Sequence, residues 1–398
     1  MARSTARPDS WFLAVTWGYV RGAIVADSDF IVIGGGMAGA SAAYELSRSS
    51  RVLVLEQEDQ PGYHATGRSA ALYAETYGNR TVRALTTGGK KFYLDPPAGF
   101  SEHPLLRPRG VMLIGRADQQ ASLDRFLAEV AGLRSNIRRI SLAEAYALSP
   151  VLREGYVADA VLDPDAMDIE VHALHQGYLR GLKAHGGQIL TDAAARSLER
   201  RDGVWIVRTK SSEFRGRVVI DAAGAWCDEI AAMAGAAQVG LVPKRRTAIL
   251  FQPPPGVDPR TWPSVIDADE EFYFRPDAGR IMASPADETP MPPCDVQPDE
   301  LDIAILIDRL EKVAKLPVRR IENRWAGLRT FAPDKTPVVG YDARVEDFFW
   351  LAGQGGYGIQ TAPGLSRLVA SLARRQPVPA DLADLGVTEA ALTPSRFA

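Results

Sequence analysis

The sequence predicts an α/β fold that contains a Rossmann-type nucleotide-binding domain. Three observations carry this prediction: a strand, glycine turn and helix near residue 30, a buried strand and helix near residue 220, and a strand, glycine-rich turn and helix near residue 350. These segments lie far apart in the chain, so we expect one domain rebuilt from separate pieces. The 398 residues leave room for a second domain between the pieces.

The first segment reads DFIVIGGGMAGASAAYEL and begins at Asp29. Its apolar strand leads directly into Gly34, Gly36 and Gly39, which have GxGxxG spacing and are followed by a helix. Gly34 permits a tight turn, Gly36 lets the backbone approach a pyrophosphate, and Gly39 lets helix and strand pack closely. The helix N-terminus supplies oriented N–H groups for the phosphates.

A second strand, RVLVLE, ends in Glu56, about 20 residues beyond the first glycine. An acidic side chain there accepts the ribose hydroxyls of a dinucleotide and repels a 2′-phosphate, so NADP is disfavoured. These residues do not separate NAD from FAD. After Glu56 the chain enters a GRSAA turn at residues 67–71, whereas an NAD domain would continue with its next strand and helix.

The other two segments resume the same sheet. Residues 214–235 form a buried strand, small residues and a helix, residues 325–342 form a strand, and residues 348–372 add a strand, a glycine-rich turn and a final helix. The sequences are FRGRVVIDAAGAWCDEIAAMAG, WAGLRTFAPDKTPVVGYD and FFWLAGQGGYGIQTAPGLSRLVASL.

Composition excludes several classes of protein. A formal net charge of -3 and the lack of a basic run argue against nucleic acid as a partner. Two cysteines without CxxC spacing form no disulfide framework, so a reducing cytoplasm fits best. His172 and His175 have a spacing that could suit a metal, but no third ligand follows, so we expect no metal and a helix surface there.

The first 24 residues need a separate explanation. Arg3 and Arg7 precede an apolar run at residues 11–20, as in a signal peptide, but the run is short and Arg21 interrupts it. We favour translation starting at Val25, with residues 1–24 as an extension that is a mis-assigned start or is disordered. We expect a cytoplasmic protein without a transmembrane segment, which leaves room for peripheral membrane contact.

From about residue 25 to residue 397 the chain resembles the FAD-dependent D-amino acid oxidase and dehydrogenase superfamily. The stretches that carry the resemblance are VIGGGMAGASAAYEL, HATGRSAA, DAAGAWCDEIA, WAGLRTFAPDKTPVVG, GQGGYGIQTAPG and LTPSRF. Within it the chain is most similar to bacterial D-arginine dehydrogenases, through GYHATGRSAA, VRALT, PPAGFSEHPLL, ALHQGYLRG, GLVPKRR, FYFRPDAG and GGYGIQT.

The resemblance implies two interleaved domains. The Rossmann-type FAD-binding domain would comprise residues 25–75, 161–235 and 321–398. An α+β substrate-binding domain with a mixed or antiparallel sheet would comprise residues 76–160 and 236–320.

The resemblance also places the cofactor. The pyrophosphate would lie on the first glycine turn, the ribose on Glu56, and the flavin beside residues 68–71, with its N1 and O2 facing the helix start at residues 355–359. FAD would be non-covalent, although His64 stands in a setting similar to one that carries covalent flavin in related amine dehydrogenases. The implied cofactor residues are Gly34, Gly36, Met37, Ala38, Gly39, Glu56, Gly67, Arg68, Ser69, Ala70, Ala71, Ala223, Gly224, Trp226, Gly355, Gly356, Tyr357, Gly358, Ile359 and Gln360.

For the substrate, the resemblance assigns Arg329 and Arg246 to the carboxylate, because a guanidinium fork fits a carboxylate with two parallel hydrogen bonds. Arg245 is adjacent and is the alternative to Arg246. Tyr273 and Tyr77 would line the same pocket. The catalytic set is Arg246, Tyr273 and Arg329, and the substrate set adds Leu72, Tyr77, Val111 and Gly356.

Two positions depart from members that act on cationic D-amino acids. Those members carry an acidic residue where this chain has Val111 and a histidine where it has Leu72. A buried cation without a counter-ion is costly, so D-arginine is a doubtful best substrate and we expect an apolar side-chain pocket. A neighbouring Glu or Asp could still compensate.

The implied function is oxidative deamination of apolar or varied D-amino acids, with hydride transfer from the α-carbon to flavin N5 and release of a 2-oxo acid and ammonia. Oxygen or a quinone would accept the electrons. Two alternatives stay open: oxidation of N-methyl or secondary amino acids, as in sarcosine or glycine oxidases, and a flavin subunit of a heteromeric dehydrogenase.

Overall fold

The computed structural model describes residues 27–133 and 136–397, so the predictions for residues 1–24 and for a start at Val25 lie outside the described residues. The helices are α1 (Met37–Ser47), α2 (Arg80–Leu94), α3 (Gln120–Val130), α4 (Leu142–Leu148), α5 (Val171–Ala184), α6 (Cys227–Ala234), α7 (Glu300–Val313), α8 (Gly358–Ala373) and α9 (Ala380–Asp384). The strands are β1 (Ser28–Ile33), β2 (Val52–Leu55), β3 (Leu72–Tyr73), β4 (Leu106–Pro108), β5 (Val111–Gly115), β6 (Arg138–Ile140), β7 (Asp159–Asp163), β8 (Met167–Ile169), β9 (Gln188–Leu190), β10 (Ser197–Arg201), β11 (Val204–Arg208), β12 (Glu213–Asp221), β13 (Val242–Phe251), β14 (Ser264–Asp267), β15 (Tyr273–Asp277), β16 (Arg280–Ser284), β17 (Ile321–Phe331), β18 (Val338–Tyr341) and β19 (Phe348–Ala352).

The first large sheet is the predicted nucleotide-binding sheet. Its strands follow the order β10-β11-β12-β1-β2-β9, with β19 beside the end of β12 and β18 beside β19. The central pairs β12–β1, β1–β2, β2–β9 and β12–β19 are parallel. Successive residues of β1 alternate between two cores, since Val32 packs into one and Ile31 into the other. Both faces are therefore covered, as a parallel sheet requires.

The second large sheet is mixed, with the order β17-β13-β16-β15-β14-β5-β7-β6. Only β14 and β5 pair in parallel among its described strands. Its core includes Phe251, Phe272 and Phe274 together with residues of α7. The predicted α/β class with a mixed sheet in the second domain is confirmed.

Strands β7 and β17 belong to this second sheet by hydrogen bonding. Boundaries at residues 161 and 321 would instead assign the end of β7 and the whole of β17 to the nucleotide-binding domain. The chain therefore leaves the second sheet only after each of these strands ends.

A third, small sheet has the order β3-β8-β4. Asp168 of β8 joins it to the second sheet, because its carboxylate pairs with Arg275 at 2.6 Å and with Arg109 at 2.7 Å. Arg275 is buried, so this pairing compensates a charge that would otherwise be costly. Within the described residues no helix is long and apolar enough to span a bilayer.

Candidate active site

A cavity of about 600 Å³ opens where the two large sheets meet. Most of the sequence-predicted site residues line it, from both the cofactor set and the substrate set. These are Gly34, Gly36, Met37, Ala38, Glu56, Arg68, Ser69, Ala70, Ala71, Leu72, Tyr77, Val111, Ala223, Gly224, Trp226, Arg246, Tyr273, Arg329, Gly355, Gly356, Gly358 and Ile359.

Four predicted cofactor residues do not line the cavity and support its wall from behind. Gly39 lies against Gly34, and the Gly67 N–H donates to the Gly62 carbonyl at 2.8 Å. Tyr357 packs its ring 5.0 Å from that of Tyr77. Gln360 is buried; its side chain donates to the Thr86 hydroxyl at 3.1 Å and accepts from the Ala74 N–H at 3.3 Å.

The glycine turn before α1 forms a cradle that side chains would fill. A Cβ on Gly34, where φ is +105°, would lie 2.5 Å from the Ala222 carbonyl, and one on Gly39 would lie 1.9 Å from the Gly34 carbonyl. Gly36 is different, since its Cβ would meet only the Thr66 hydroxyl at 3.3 Å. Gly36 therefore keeps space open at the helix N-terminus, which fits a pyrophosphate.

Glu56 stands at the end of β2 with both carboxylate oxygens engaged. One oxygen accepts from the Gly35 N–H at 2.8 Å and the other from the Glu58 N–H at 2.9 Å. Burial raises the pKa of Glu56, while these backbone N–H groups oppose the rise. A carboxylate has further lone pairs, so Glu56 can still accept from a ribose.

His175 supports the same turn from α5. Its Nε2 lies 2.8 Å from the Gly35 carbonyl, and burial lowers its pKa. The expectation of a helix surface is therefore wrong for His175, whereas His172 is exposed. Among the described residues no group of three or more potential ligands could hold a metal.

His64 also lines the cavity, beside Trp226, with ring centroids 4.7 Å apart. Its Nε2 lies 2.8 Å from a carboxylate oxygen of Glu58. Nearby, the Arg68 guanidinium donates to the carbonyls of Val296 and Ala326 at 3.2 and 3.1 Å, so it fastens the loop before α7 to β17.

At the opposite end of the cavity, the N-terminus of α8 points into the lining. Gly355 has a φ of +52°, and a Cβ there would lie 2.2 Å from the Phe331 ring. The Gly355 N–H donates to the Thr330 carbonyl at 2.8 Å, which joins the turn to β17. The positive end of the helix dipole therefore faces the cavity, as predicted for the group beside a flavin.

The pairing of β13 with β17 determines which arginine faces the cavity. Arg246 lies opposite Gly327 and lines the cavity, while Arg245 lies opposite Leu328 on the other face. Arg245 pairs there with Asp302 at 2.8 Å. Successive residues of a strand point to opposite faces, so the choice between the two arginines, open in the sequence, falls on Arg246.

Arg329 has a cavity-facing guanidinium, and no carboxylate pairs with it among the described residues. Burial lowers its pKa, but the nearby Tyr77, Tyr273, Glu270 and Glu288 outweigh this and raise it. The absence of a side chain at residue 356 makes room for it, since a Cβ there would lie 3.0 Å from Nη1 of Arg329. Arg329 is thus held as a cation facing the cavity.

Tyr77 lies beside this guanidinium. A Cβ on Gly356 would lie 3.2 Å from the Tyr77 hydroxyl and 3.0 Å from Nη1 of Arg329, so both groups lie around the same point. Enclosure by protein raises the pKa of Tyr77, against the charge of Arg329. Its hydroxyl therefore stays a neutral donor near neutral pH. Tyr273, at the start of β15, lines the same part of the cavity.

An apolar patch adjoins the charged region. Leu72, Leu113 and Ile266 pack against a buried cluster that contains Val111, and these four residues line the cavity. A substrate side chain enclosed here would gain about 1.5–3 kcal/mol if it were the size of Val or Leu. The patch agrees with the apolar pocket expected from Leu72 and Val111.

Some lining residues were not singled out from the sequence. Thr66 accepts the Met37 N–H at 2.9 Å at the start of α1. It lies within HATGRSAA, so that motif could have indicated it. Glu270 reaches the cavity from the turn between β14 and β15, where its φ is +57°, and Phe126 reaches it from α3. No sequence motif marks either of them.

The match to a family model decides the assignment: the model described as FAD dependent oxidoreductase (DAO) fits residues 29–372. The chain belongs to this family. Its cofactor, FAD, is the one predicted. Among curated proteins, an uncharacterized oxidoreductase, YurR, of Bacillus subtilis is 26% identical over 375 residues, which cover 89% of this chain and 96% of YurR.

Two further relatives indicate the range of the DAO family. Dimethylglycine dehydrogenase of Mus musculus is 24% identical across 90% of this chain, but the match covers only 44% of that enzyme. Among solved structures, glycine oxidase of Geobacillus kaustophilus superposes with a TM-score of 0.78 at 20% identity, over 90% of this chain and 97% of that one. The oxidase likeness shows the fold, and the special likeness to D-arginine dehydrogenases stays a prediction.

Proposed function

We propose that this DAO-family protein oxidises amino acids that it binds by their carboxylate, and that D-amino acids with apolar side chains are its preferred substrates. The observation that carries the proposal is the unpaired, cavity-facing guanidinium of Arg329 beside an apolar patch. A cation without a protein counter-ion favours an anionic ligand, and the patch favours an apolar group next to that anion.

Each residue has a distinct task in this proposal. Arg329 holds the carboxylate with two parallel hydrogen bonds, and Tyr77 donates to it from the side. The substrate side chain lies on Leu72 and Val111. FAD, when bound, supplies the two-electron acceptor for the α-hydrogen. Holding the α-carbon in one place is the contribution of the protein, because orientation alone removes a large part of a reaction barrier.

The glycine turn, Glu56 and the α8 N-terminus are the residues that would hold FAD. The occupied Nε2 of His64 supports a cofactor that dissociates. Acid precipitation of the holoprotein tests this part: flavin released into the supernatant agrees with it, and flavin retained in the pellet contradicts it.

A second candidate is oxidation of secondary or N-methylated amino acids. It is favoured by similarity to a dimethylglycine dehydrogenase and a glycine oxidase, whose small substrates also carry a carboxylate. The product separates the two candidates: a D-amino acid with a primary amine gives a 2-oxo acid and ammonia, whereas an N-methyl group is released as formaldehyde.

The deciding experiment is anaerobic mixing of the purified holoprotein with D-, L- and N-methyl amino acids while the flavin absorbance is followed. Bleaching by apolar D-amino acids supports the first candidate, and bleaching only by N-methyl compounds supports the second. If no amino acid bleaches the flavin, the proposal fails and a subunit of a heteromeric dehydrogenase becomes the better interpretation. Reoxidation with oxygen or with a quinone then identifies the electron acceptor.

A further inference from the structure

Three cations share one face of the β13–β17 pair. Lys244 lies directly opposite Arg329 in this antiparallel pairing, and Arg246 is two residues from Lys244 on the same strand face. Side chains that are directly opposite in a sheet are close neighbours, and like charges there repel each other. Such a cluster needs a counter-ion.

Glu288 is that counter-ion. One of its oxygens lies 2.8 Å from the Lys244 ammonium and the other lies 3.1 Å from Nη2 of Arg246. The segment that carries it runs alongside β13, because the Arg245 N–H donates to the Thr289 carbonyl at 2.9 Å. Burial raises the pKa of Glu288, but Lys244, Arg246 and Lys335 outweigh it and lower the pKa, so the carboxylate stays charged.

The contacts leave the two cavity arginines unequal. Arg246 donates from Nη2 to the Glu288 carboxylate and from Nε to the Asp287 carbonyl, at 2.9 Å. Its Nη1 is therefore the nitrogen left for a ligand. The Arg329 guanidinium makes no such contact within the described part of the chain, so its N–H groups stay available for a ligand. The charge of Glu288 also acts on Arg329, whose protonated form it stabilises. Glu288 itself does not line the cavity, so it acts on a ligand through the cations.

We propose that Glu288 is a specificity-determining residue that biases the cavity toward monocarboxylate substrates and against dicarboxylates. With Glu270 at the cavity, the three cations of this strand face exceed the two nearby carboxylates by one positive charge, since Lys335, which also acts on Glu288, is exposed and screened by solvent. One substrate carboxylate neutralises that charge. A second carboxylate would lie against the apolar patch without a counter-ion, which is unfavourable. This inference rests on the proposed function only in taking the ligand to be a carboxylate.

The test compares ligands of equal length that differ by one carboxylate. Butanoate and succinate are titrated into the holoprotein, and their dissociation constants are obtained from the change in flavin absorbance. D-2-aminobutyrate and D-aspartate give the matching ratio of kcat/KM. Glu288→Gln removes one negative charge and keeps an acceptor for Arg246, whereas Lys244→Met removes one positive charge.

The two variants should move the ratios in opposite directions. Glu288→Gln should shift both ratios roughly tenfold toward the dicarboxylate, and Lys244→Met should shift them by a similar factor toward the monocarboxylate. A general loss of packing would weaken both ligands and could not give opposite signs. Asp308→Asn, in an exposed pair with Lys312 on α7, serves as the matched control and should leave both ratios unchanged.

Unchanged ratios in both variants, or shifts of the same sign, would overturn the inference. If Glu288→Gln does not fold, the sign of the Lys244→Met shift decides alone. If no amino acid is oxidised but the butanoate and succinate ratios move as expected, the proposed function fails and the role of Glu288 stands. If amino acids are oxidised and the ratios do not move, only the role of Glu288 fails.

Discussion

The two walls of the cavity differ in whether backbone or side-chain atoms form them. The nucleotide wall, around Gly34 and Gly355, is mainly backbone held in conformations and close contacts that exclude a Cβ. The substrate wall, on β13 and β17, consists of charged side chains whose positions depend on strand pairing. We therefore expect the first wall to be sensitive to added atoms and the second to changed charge.

The largest expected effect is on the substrate wall. Arg329→Ala removes the only described guanidinium in this wall that has no carboxylate in ion-pair contact, so kcat/KM should fall at least about a hundredfold, given about 3 kcal/mol for a lost charge pair. The flavin content of the purified protein should not change. Arg324→Ala, an exposed residue of the same strand that pairs with Glu300, is the control. Retained turnover in Arg329→Ala would show that the carboxylate binds elsewhere.

The next largest effect concerns two glycines of the nucleotide wall, Gly34 and Gly36, which should respond differently to substitution by alanine. Gly34→Ala meets both a positive φ and the Ala222 carbonyl, so it should lower the free energy of unfolding by about 1–3 kcal/mol and reduce the flavin content. Gly36→Ala meets only the Thr66 hydroxyl, at 3.3 Å, a tight contact that a small shift relieves, so it should cost the apoprotein less stability than Gly34→Ala and mainly weaken FAD binding. Thermal unfolding of the apo and holo forms measures both. Equal loss of apoprotein stability in the two variants would contradict this assignment of roles.

The smallest effect concerns an ionisable group behind the nucleotide wall. Asp221 is fully buried at the end of β12, and burial raises its pKa well above the usual range, against the Ala223 N–H. The unfolded carboxyl ionises near pH 4, so as the pH rises from there the unfolded state is increasingly favoured until the folded group also ionises.

Asp221→Asn cannot ionise and should escape this loss. The gain in Tm over the parent protein should therefore be larger at pH 8 than at pH 5, by a few degrees. Asp384→Asn at the exposed end of α9 is the control. A gain that is the same at both pH values would mean that Asp221 does not titrate differently on folding.

Local sequence predicted the backbone wall well. The spacing of Gly34, Gly36 and Gly39 and the end of β2 at Glu56 describe one continuous turn, whose geometry depends on residues close in sequence. The glycine stretch before α8 was found in the same way. His175 was the exception in this region, since its burial depends on α5 packing against a turn 140 residues away.

The charged wall could be predicted only in part. Local sequence could not decide between Arg245 and Arg246, because a one-residue change in register exchanges the two faces of a strand. The neighbourhood of Lys244 and Arg329 likewise follows from the pairing of β13 with β17. Glu288 stands in a segment without a motif, and its role is visible only when the segment lies beside β13.

The junction of β17 with α8 has a consequence for substrate length. Phe331 bridges to Gln354, and the Gly355 N–H donates to the Thr330 carbonyl, so the strand that carries Arg329 is hydrogen-bonded to the turn that starts α8. The distance between Arg329 and the N-terminus of α8 is therefore fixed by backbone hydrogen bonds. Under the proposed function, a substrate held by Arg329 would present to the cofactor only the carbon one bond from its carboxylate, so we expect β-amino acids to bind without being oxidised.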